Sequence, residues 1–282
     1  SVTARNAEVK NTFARDTNRT EVKFTLRPGG GRLEFALHYG FNIDIFETGD
    51  LAFANKIFHE IGLLAKWRLL PKSAIFLSAK EEIYNYYDRD GGQDVGYTNN
   101  DSYPLRVFLG FSGLITPRIS TMLKVGYGNG FYDTLESYNM ILAAAEFGYR
   151  FSPLAKLRLG YSHGFHDSMF ANYYTDDKIY ISYDHMFLSR FLVHAQGDYR
   201  YRDYAGFPAG LTDSAGAPID ELNSHVVSLA LGFDWQIREW IYVGIGYDLQ
   251  LNSVISGPKD INSFFANDFV KHQVFGKVGV SY

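Results

Sequence analysis

The sequence predicts an all-β protein, a transmembrane antiparallel up-and-down β-barrel of about 14 strands with short periplasmic turns and long extracellular loops. Apolar and polar residues alternate with a period of two through most of the chain, as in a β-strand with two different faces. No run of 18 or more apolar residues occurs, so no transmembrane helix is predicted. Short turns and longer, mostly polar loops alternate along the chain, which is typical of barrels in a membrane.

The stretch FLVHAQGDYRYRDY, residues 191–204, shows the alternation most clearly. One set of side chains is apolar, with aromatic residues toward its end, and the other set is polar and charged. A soluble sandwich would bury the apolar set, whereas a transmembrane barrel turns it to lipid and lines its lumen with the polar set. Strands of roughly 10 to 15 residues suit a tilted membrane crossing. In a sandwich, long and short connections have no reason to alternate, so the barrel is favoured.

The strands are predicted in chain order, and only the first, up to about Phe13, alternates poorly. The others are Thr20–Arg27, Arg32–Phe46, Lys56–Leu69, a strand from the Pro71–Ser73 turn to Tyr87, Leu105–Ile115, Ile119–Phe131, Tyr138–Phe151, Ala155–Phe165, Lys178–Phe187, Phe191–Tyr204, His225–Ile237, Trp240–Leu251 and Asp268–Tyr282.

The connections fall into two classes. Glycine in the tight turn Pro28–Gly31 supplies the positive φ that hairpins need. The other short turns are Pro71–Ser73, Thr116–Arg118, Ser152–Leu154, Ser189–Arg190 and Arg238–Glu239. The longer loops are Glu47–Asn55, Asp88–Pro104, Asp133–Ser137, His166–Thr175, Gly206–Leu222 and Ser253–Asn267.

Composition narrows the class of protein further. The 282 residues can form one large all-β domain, and we assign residues 1–282 to a single barrel domain. The absence of cysteine excludes disulfides and thiol metal sites, and no cofactor is predicted. A net charge of -4 gives no reason to expect nucleic acid as a partner. The chain starts at Ser1 without an apolar signal segment, so an exported form is expected to be mature or trimmed.

Two stretches resemble known bacterial barrels. The ending GKVGVSY, residues 276–282, resembles the C-terminal signal of outer-membrane barrels, in which alternating apolar residues end in an aromatic residue. The segment from Glu146 to Tyr204, with GYRFSPLAKLRLGYSHGF followed by YYTDDKIYISYDHMFLSRFLVHAQGDYRYRDY, resembles the β-barrel porin 2 family. Size and strand count are similar to those of outer membrane porin G.

These resemblances imply a location and partners. The location is the bacterial outer membrane, with its lipid and lipopolysaccharide as surroundings. The porin 2 resemblance implies an association with exopolysaccharide export, so a polysaccharide or other envelope proteins are the further partners expected.

The polar face provides the candidate site. With that face inward, the periplasmic half of the lumen is predicted to be basic, and a basic constriction attracts anions. Its predicted residues are Arg27, Arg32, Lys66, Arg68, Arg150, Lys156, Arg158 and Lys277. Asp198 and Arg200 complete the predicted lumen set. Alternatively, these side chains pair with acids across strands and only fill the lumen.

Aromatic residues at strand ends are predicted to mark the two membrane interfaces. Trp67, Trp235 and Trp240 lie at the short-turn ends of their strands. Tyr201 and Tyr204 lie at a loop end, and Tyr282 ends the last predicted strand. The alternative is that such aromatics form the core of a sandwich.

Other motifs are weaker. Residues 160–164, GYSHG, match the G-x-S-x-G pattern, but the motif lies within a predicted strand, without the helix that a nucleophile elbow requires. Ser162 and His163 should point to opposite faces, so no catalytic site and no enzyme are predicted. His163, His166 and Asp167 are explained as polar strand-end residues, and no metal site is predicted.

The favoured function is therefore an outer-membrane channel for small polar or anionic solutes or saccharide, with exopolysaccharide export as one specific role. The alternative is a non-conducting structural barrel that anchors or docks an envelope protein complex. An open lumen with unbalanced charge favours the first function, whereas a filled lumen with balanced charge favours the second.

Overall fold

The computed structural model describes residues 15–47, 52, 54–87, 101–133, 137–168, 171–207, 222–238, 240–256 and 268–280. These residues form thirteen strands in one sheet, and each strand pairs antiparallel with the next in chain order. The strands are β1 (Arg15–Leu26), β2 (Leu33–Phe46), β3 (Lys56–Leu70), β4 (Ser73–Tyr86), β5 (Leu105–Leu114), β6 (Ile119–Asn129), β7 (Asn139–Ser152), β8 (Ala155–Asp167), β9 (Tyr173–Phe187), β10 (Phe191–Ala205), β11 (Leu222–Arg238), β12 (Ile241–Ser256) and β13 (Phe269–Val280).

The all-β, up-and-down prediction is confirmed for these residues, but several strand ends differ. β9 begins at Tyr173 and β8 continues to Asp167, so the loop predicted from His166 to Thr175 is shorter. The backbone ladder between β8 and β9 runs through the polar sequence YYTDD, whose side chains do not alternate between apolar and polar. Hydrogen bonding between strands therefore extends further than the hydrophobic pattern does.

The sheet has two different ends. At the short-turn end, neighbouring strands are joined by a few residues, as at Gly29–Gly31 and at Leu188 and Ser189, where φ is positive. Positive φ matches the twist of the flanking strands in tight hairpins. At the opposite end, here called the loop end, most of the loops predicted at 88–104, 206–222 and 253–267 lie outside the described residues.

The two faces of the sheet also differ, and their polarity is the reverse of that in a soluble protein, with apolar side chains exposed and polar ones buried. The face here called outer exposes large apolar side chains, including Phe24, Leu37, Leu63, Leu109, Val125, Ile141, Leu159, Ile181, Leu229, Ile245 and Val274. The inner face carries buried polar side chains, including Asn42, Glu60, Glu82, Asp176, Ser182, Asp198 and Ser224. An apolar face of this extent is unfavourable in water and suits lipid. The described sheet is therefore of the membrane β-barrel type.

The sheet curves strongly toward its inner face at the loop end. The hydroxyl of Tyr86 on β4 donates to Asp167 Oδ2 on β8 at 2.6 Å. Arg106 Nη2 on β5 donates to the carbonyl oxygen of Phe165 on β8 at 3.0 Å. These strands are not neighbours in the sheet, so curvature brings them together.

The sheet is not closed within the described residues. β1 pairs only with β2, and β13 pairs only with β12. The predicted strand up to about Phe13 lies outside the described residues, so the count of 14 strands stays a prediction. In the same part of the chain, no helix has the length and apolar character needed to span a membrane.

Candidate functional site

Ion pairs link the inner faces of β2 to β5 near the loop end. Glu60 accepts from Lys80 Nζ at 2.9 Å and lies 3.2 Å from His38 Nδ1. Glu82 accepts from the same lysine at 2.8 Å and from Arg106 Nη1 at 2.5 Å. Each carboxylate thus has two basic partners, on adjacent strands for Glu60 and on its own and the next strand for Glu82, which offsets the cost of burying its charge.

A second group of ion pairs spans β8, β9 and β10. Asp184 accepts from Arg158 Nη2 at 3.3 Å and lies 2.5 Å from His194 Nδ1. Asp198 accepts from Arg200 Nε at 2.9 Å and lies 3.8 Å from Lys178 Nζ. His194 stands directly opposite Asp184, whereas Arg158–Asp184 and Lys178–Asp198 are diagonal pairs across neighbouring strands. Arg200 and Asp198 are two apart on one strand, so all these side chains share one face.

The basic residues predicted for the lumen fall into two groups. Six of the ten predicted lumen residues form ion pairs. Arg27 (2.9 Å) and Arg68 (3.9 Å) pair with Glu34, Arg158 pairs with Asp184, Lys277 pairs with Asp234 (2.7 Å), and Arg200 pairs with Asp198. Among the described contacts, no ion pair involves the remaining four cations, Arg32, Lys66, Arg150 and Lys156. Charge at the short-turn end of the inner face is therefore only partly balanced.

One cavity at the short-turn end is lined by three basic side chains. It lies between β3, β4 and β5, and the described residues that line it include Lys66, Arg68 and Lys72 but no carboxylate. Ser73 and Ser112 add hydroxyl groups to the same lining. A cavity with three cations and hydroxyl donors has the chemistry that attracts small anions.

A different surface covers the inner face of β10 to β13. Two rows of side chains run straight across these four strands and line one groove. In register, the rows are Gln196–Ala230–Asp248–Gln273 and Asp198–Ser228–Gln250–Lys271. Across the described part of the chain, no hydrogen bond or ion pair engages the side chains of the three glutamines, Asp248 or Lys271. We call these two rows the amide rows.

An aromatic ring borders the amide rows. In the next row toward the short-turn end, Phe275 stands opposite Gly246, and a Cβ on that glycine would lie 2.2 Å from the ring. The far end of the phenyl ring therefore lies against bare backbone. Gly232 follows in the same row, so the groove beside the ring has little side-chain volume. Amides, a carboxylate, an ammonium group and an aromatic face together suit a hydroxylated ligand.

The amide rows were not predicted from the sequence. The sequence signal that could have indicated them is glutamine at the inward positions of three strands, where it alternates with apolar residues. The register that aligns them in rows depends on strand pairing, which the sequence pattern does not specify.

Side chains fill the inner face at the loop end. Asp167 accepts hydrogen bonds from the hydroxyl groups of Tyr86 (2.6 Å) and Ser102 (2.9 Å). The Arg106 guanidinium lies 4.6 Å from the centre of the Phe165 ring, which is almost completely buried. We call these five residues the loop-end cluster. It ties β4, β5 and β8 together across the inner face.

Tyrosine rings extend the loop-end cluster beyond the strands. Tyr138 stacks on Tyr173 with 3.9 Å between ring centres, and Tyr132 lies 6.1 Å from the same ring. Burial raises the pKa of both Tyr132 and Tyr138 above the usual tyrosine range. Both phenols therefore stay protonated at neutral pH.

The predicted interface aromatics are found in different places. Trp67 and Trp235 are exposed on the outer face near the short-turn end, and Trp240 is exposed in the turn before β12; between 42% and 56% of their surface is accessible. Tyr201 is on the outer face near the loop end, 5.6 Å from the His225 ring. Tyr282 lies outside the described residues.

The interface assignment of Tyr204 is wrong. Its side chain is buried on the inner face, where it packs with Ala171, Leu222 and Val254. Tyr204 is an even-numbered residue of β10, so it shares the face of Asp198 and not the lipid-facing side of Tyr201. Its position at a strand end did not determine its face.

The G-x-S-x-G segment is part of β8. Ser162 stands opposite Ala144 and Lys178 on the inner face, and His163 Nδ1 lies 2.9 Å from Asp177 Oδ1 on the outer face. The serine and the histidine are therefore separated by the sheet. Among the described residues, no three His, Asp or Glu side chains group together as a metal site.

Comparisons with known proteins do not assign a family. No family model and no curated protein matches the chain. The siderophore receptor PirA from Acinetobacter baumannii matches with a TM-score of 0.38 and 10% identity, over 96% of this chain and 56% of the receptor, so this chain spans just over half of that protein. OmpT, an outer membrane protein of Vibrio cholerae, matches with a TM-score of 0.36 and 9% identity, over 95% of each chain. The resemblance to the porin 2 family stays a prediction.

Proposed function

We propose that this chain is an outer-membrane channel that passes small polar or anionic solutes, saccharides among them, along its inner face. The amide rows carry the proposal. These rows lie on the polar face of a sheet whose other face suits lipid, and the described residues leave their three glutamines, Asp248 and Lys271 without hydrogen-bond or ion-pair partners. Such groups can exchange hydrogen bonds with a passing solute at little cost.

The cavity at the short-turn end supports a preference for anions. Lys66, Arg68 and Lys72 line it together, and Glu34, which lies 3.9 Å from Arg68, also pairs with Arg27. An excess of positive charge at one end of a pore raises the local anion concentration and repels cations. The preference should weaken as salt screens these charges.

The amide rows also support a saccharide as the solute. Each glutamine offers both a donor and an acceptor, which matches the mixed character of a sugar hydroxyl. The exposed face of Phe275 can pack against the C–H face of a sugar ring. Exopolysaccharide export, which the porin 2 resemblance implies, would use these same groups, but that specific role depends on the resemblance.

The second candidate function is a non-conducting structural barrel that docks an envelope complex. The loop-end cluster favours it, because Tyr86, Arg106 and Phe165 fill the inner face between β4 and β8. Many inner-face charges are also paired, as a filled lumen requires. Neither proposed function is enzymatic, and the separation of Ser162 from His163 supports that choice.

Planar-bilayer conductance of the refolded protein, with the reversal potential measured in a salt gradient, tests the proposal. We expect steady steps that are selective for anions. Replacing both Lys66 and Arg68 by Glu should shift the reversal potential toward cation selectivity, because both side chains line the basic cavity. Arg118→Glu is the matched control, since this exposed turn residue at the same end is outside the cavity lining and should leave selectivity unchanged.

Soluble oligosaccharides added to the same bilayer test the saccharide assignment. They should reduce the current through the natural protein, and the double variant Gln250→Ala with Gln273→Ala should weaken that block several-fold. A folded, inserted protein without conductance would exclude the channel and favour the structural barrel. Conductance without any block by saccharide would retain the channel and exclude this solute.

A further inference from the structure

The outer face carries a repeated pair of side chains that the channel proposal does not use. In four hairpins, a tyrosine on the strand that runs toward the loop end hydrogen-bonds to a polar side chain on the next strand. The pairs are Tyr39–His59 (2.9 Å), Tyr161–Asp177 (2.6 Å), Tyr199–His225 (2.5 Å) and Tyr247–His272 (2.8 Å). We call these eight residues, together with His163, the tyrosine–histidine belt.

The pairs share one register. Each tyrosine stands directly opposite a β-branched residue, and its partner is two residues nearer the loop end. The opposite residues are Ile61, Ile179, Val227 and Val274. In the β8–β9 hairpin an imidazole is also present, because His163 stands opposite Asp177 and lies 2.9 Å from it. One diagonal contact is thus repeated in four hairpins, and such contacts are within reach of long side chains.

The belt lies at the loop-end border of the apolar surface. His59, His225 and His272 are each the fourth residue of their strand, counted from the loop end. From His59 to Trp67 and from His225 to Trp235, the outward residues of β3 and β11 are apolar. At roughly 3.3 Å per residue and a tilt of about 40°, these stretches span roughly 20 to 25 Å of membrane. That height fits the apolar band of a membrane barrel, which places the belt at the lipid–water boundary.

The chemistry of the pairs leaves a donor available. When the phenol donates to imidazole Nδ1, the ring proton must be on Nε2, which then needs an acceptor. The tyrosine and imidazole rings are held at similar angles of 31° to 33° in three of the pairs. In these three pairs, the imidazole ring with its Nε2–H group is therefore tilted in a similar way relative to the tyrosine ring. At a membrane boundary, the abundant strong acceptors are the phosphate oxygens of lipid headgroups.

We propose that the tyrosine–histidine belt binds the phosphate groups of outer-leaflet lipids and fixes the depth of the sheet in the membrane. The inference is independent of conduction, because the belt lies on the face opposite the amide rows. Tyr39, Tyr199 and Tyr247 act as positioning residues, since each hydroxyl orients the imidazole that contacts the headgroup.

The test is native mass spectrometry of the folded full chain in detergent, with phosphatidic acid or diacylglycerol of the same acyl chains as probes. We expect the natural protein to retain phosphatidic acid and release diacylglycerol. The triple variant His59→Phe, His225→Phe and His272→Phe should retain at least about fivefold less phosphatidic acid. The control is His185→Phe, which removes an imidazole bonded to Tyr183 near the short-turn end and should change retention less than about twofold.

Equal retention by the triple variant and the natural protein would overturn the proposal, and so would an equal loss in the His185→Phe control. Complete displacement of phosphatidic acid by excess inorganic phosphate would make this a site for free phosphate and overturn the lipid assignment. If the triple variant does not fold, Tyr39→Phe, Tyr199→Phe and Tyr247→Phe keep the imidazoles but remove the orienting hydroxyls. Retention should then fall about threefold, and no change would contradict the proposal.

Discussion

Phe165 occupies the inner face because the residue beneath it, Gly128, has no side chain. A Cβ on Gly128 would lie 2.5 Å from the Phe165 ring and 3.0 Å from Leu142. Both neighbours are almost completely buried, so neither can move aside easily. A single hydrogen atom at position 128 thus decides whether the loop-end cluster can form.

Gly128→Ala should therefore lower the free energy of unfolding by about 1 to 3 kcal/mol, as overpacking a buried site does. The measurement is urea unfolding of the folded protein in detergent micelles. Gly276→Ala is the matched control, because nothing lies within 4 Å of a Cβ at that position and stability should change little. Equal effects of the two substitutions would contradict the packing around Phe165.

The hydrogen bond between Tyr86 and Asp167 is the second residue-scale feature that can be tested. Tyr86→Phe removes one of the two hydroxyl donors to a buried carboxylate, and the free energy of unfolding should fall by about 1.5 to 3 kcal/mol. Tyr149→Phe, on the exposed outer face, should have little effect in the same unfolding measurement. A neutral Tyr86→Phe would show that this hydrogen bond does not hold β4 to β8.

At the scale of strands and turns, period-two alternation located all thirteen described strands. It failed where both faces become polar, as at the start of β9 and the end of β8, because only backbone pairing continues there. Alternation also indicated which residues share a face, and so grouped Lys66 and Arg158 with the other polar side chains. It could not show that Arg158 meets Asp184 or that Tyr39 meets His59, since these contacts depend on the register between strands.

Substitutions in the turn between β9 and β10 should stabilise the folded protein. Leu188 and Ser189 have φ of 50° and 53°, which residues other than glycine, asparagine and aspartate adopt at a cost. Replacing them by Asn and Gly should raise the free energy of unfolding by about 1 kcal/mol, since Leu188 is 83% exposed and little packing is lost. Leu154→Asn, in a turn where no positive φ occurs, should give no gain in the same urea titration.

At the scale of the whole molecule, the inversion of the two faces determines where a charge is tolerated. Leu63 is 56% exposed on the outer face of β3, between His59 and Trp67, where lipid is expected. Leu63→Arg should lower stability in phospholipid vesicles by about 2 to 4 kcal/mol, as charges at the midplane of a barrel do. Ser78→Arg, on the inner face of the neighbouring strand, should be tolerated. Equal tolerance of both substitutions would show that the apolar face does not contact lipid.

The open edges of the sheet have a consequence for how the molecule assembles. Every described strand pairs with its neighbour in sequence, so hairpins can form one after another with small losses of loop entropy. The edges at β1 and β13 are the exception, because they are separated by nearly the whole chain and, being both odd in a strictly antiparallel order, run in the same direction. Joining these two described edges would be a step of high contact order, and direct pairing there would be parallel, which is slightly less stable per residue. The seam between these edges is therefore expected to form last and to open first.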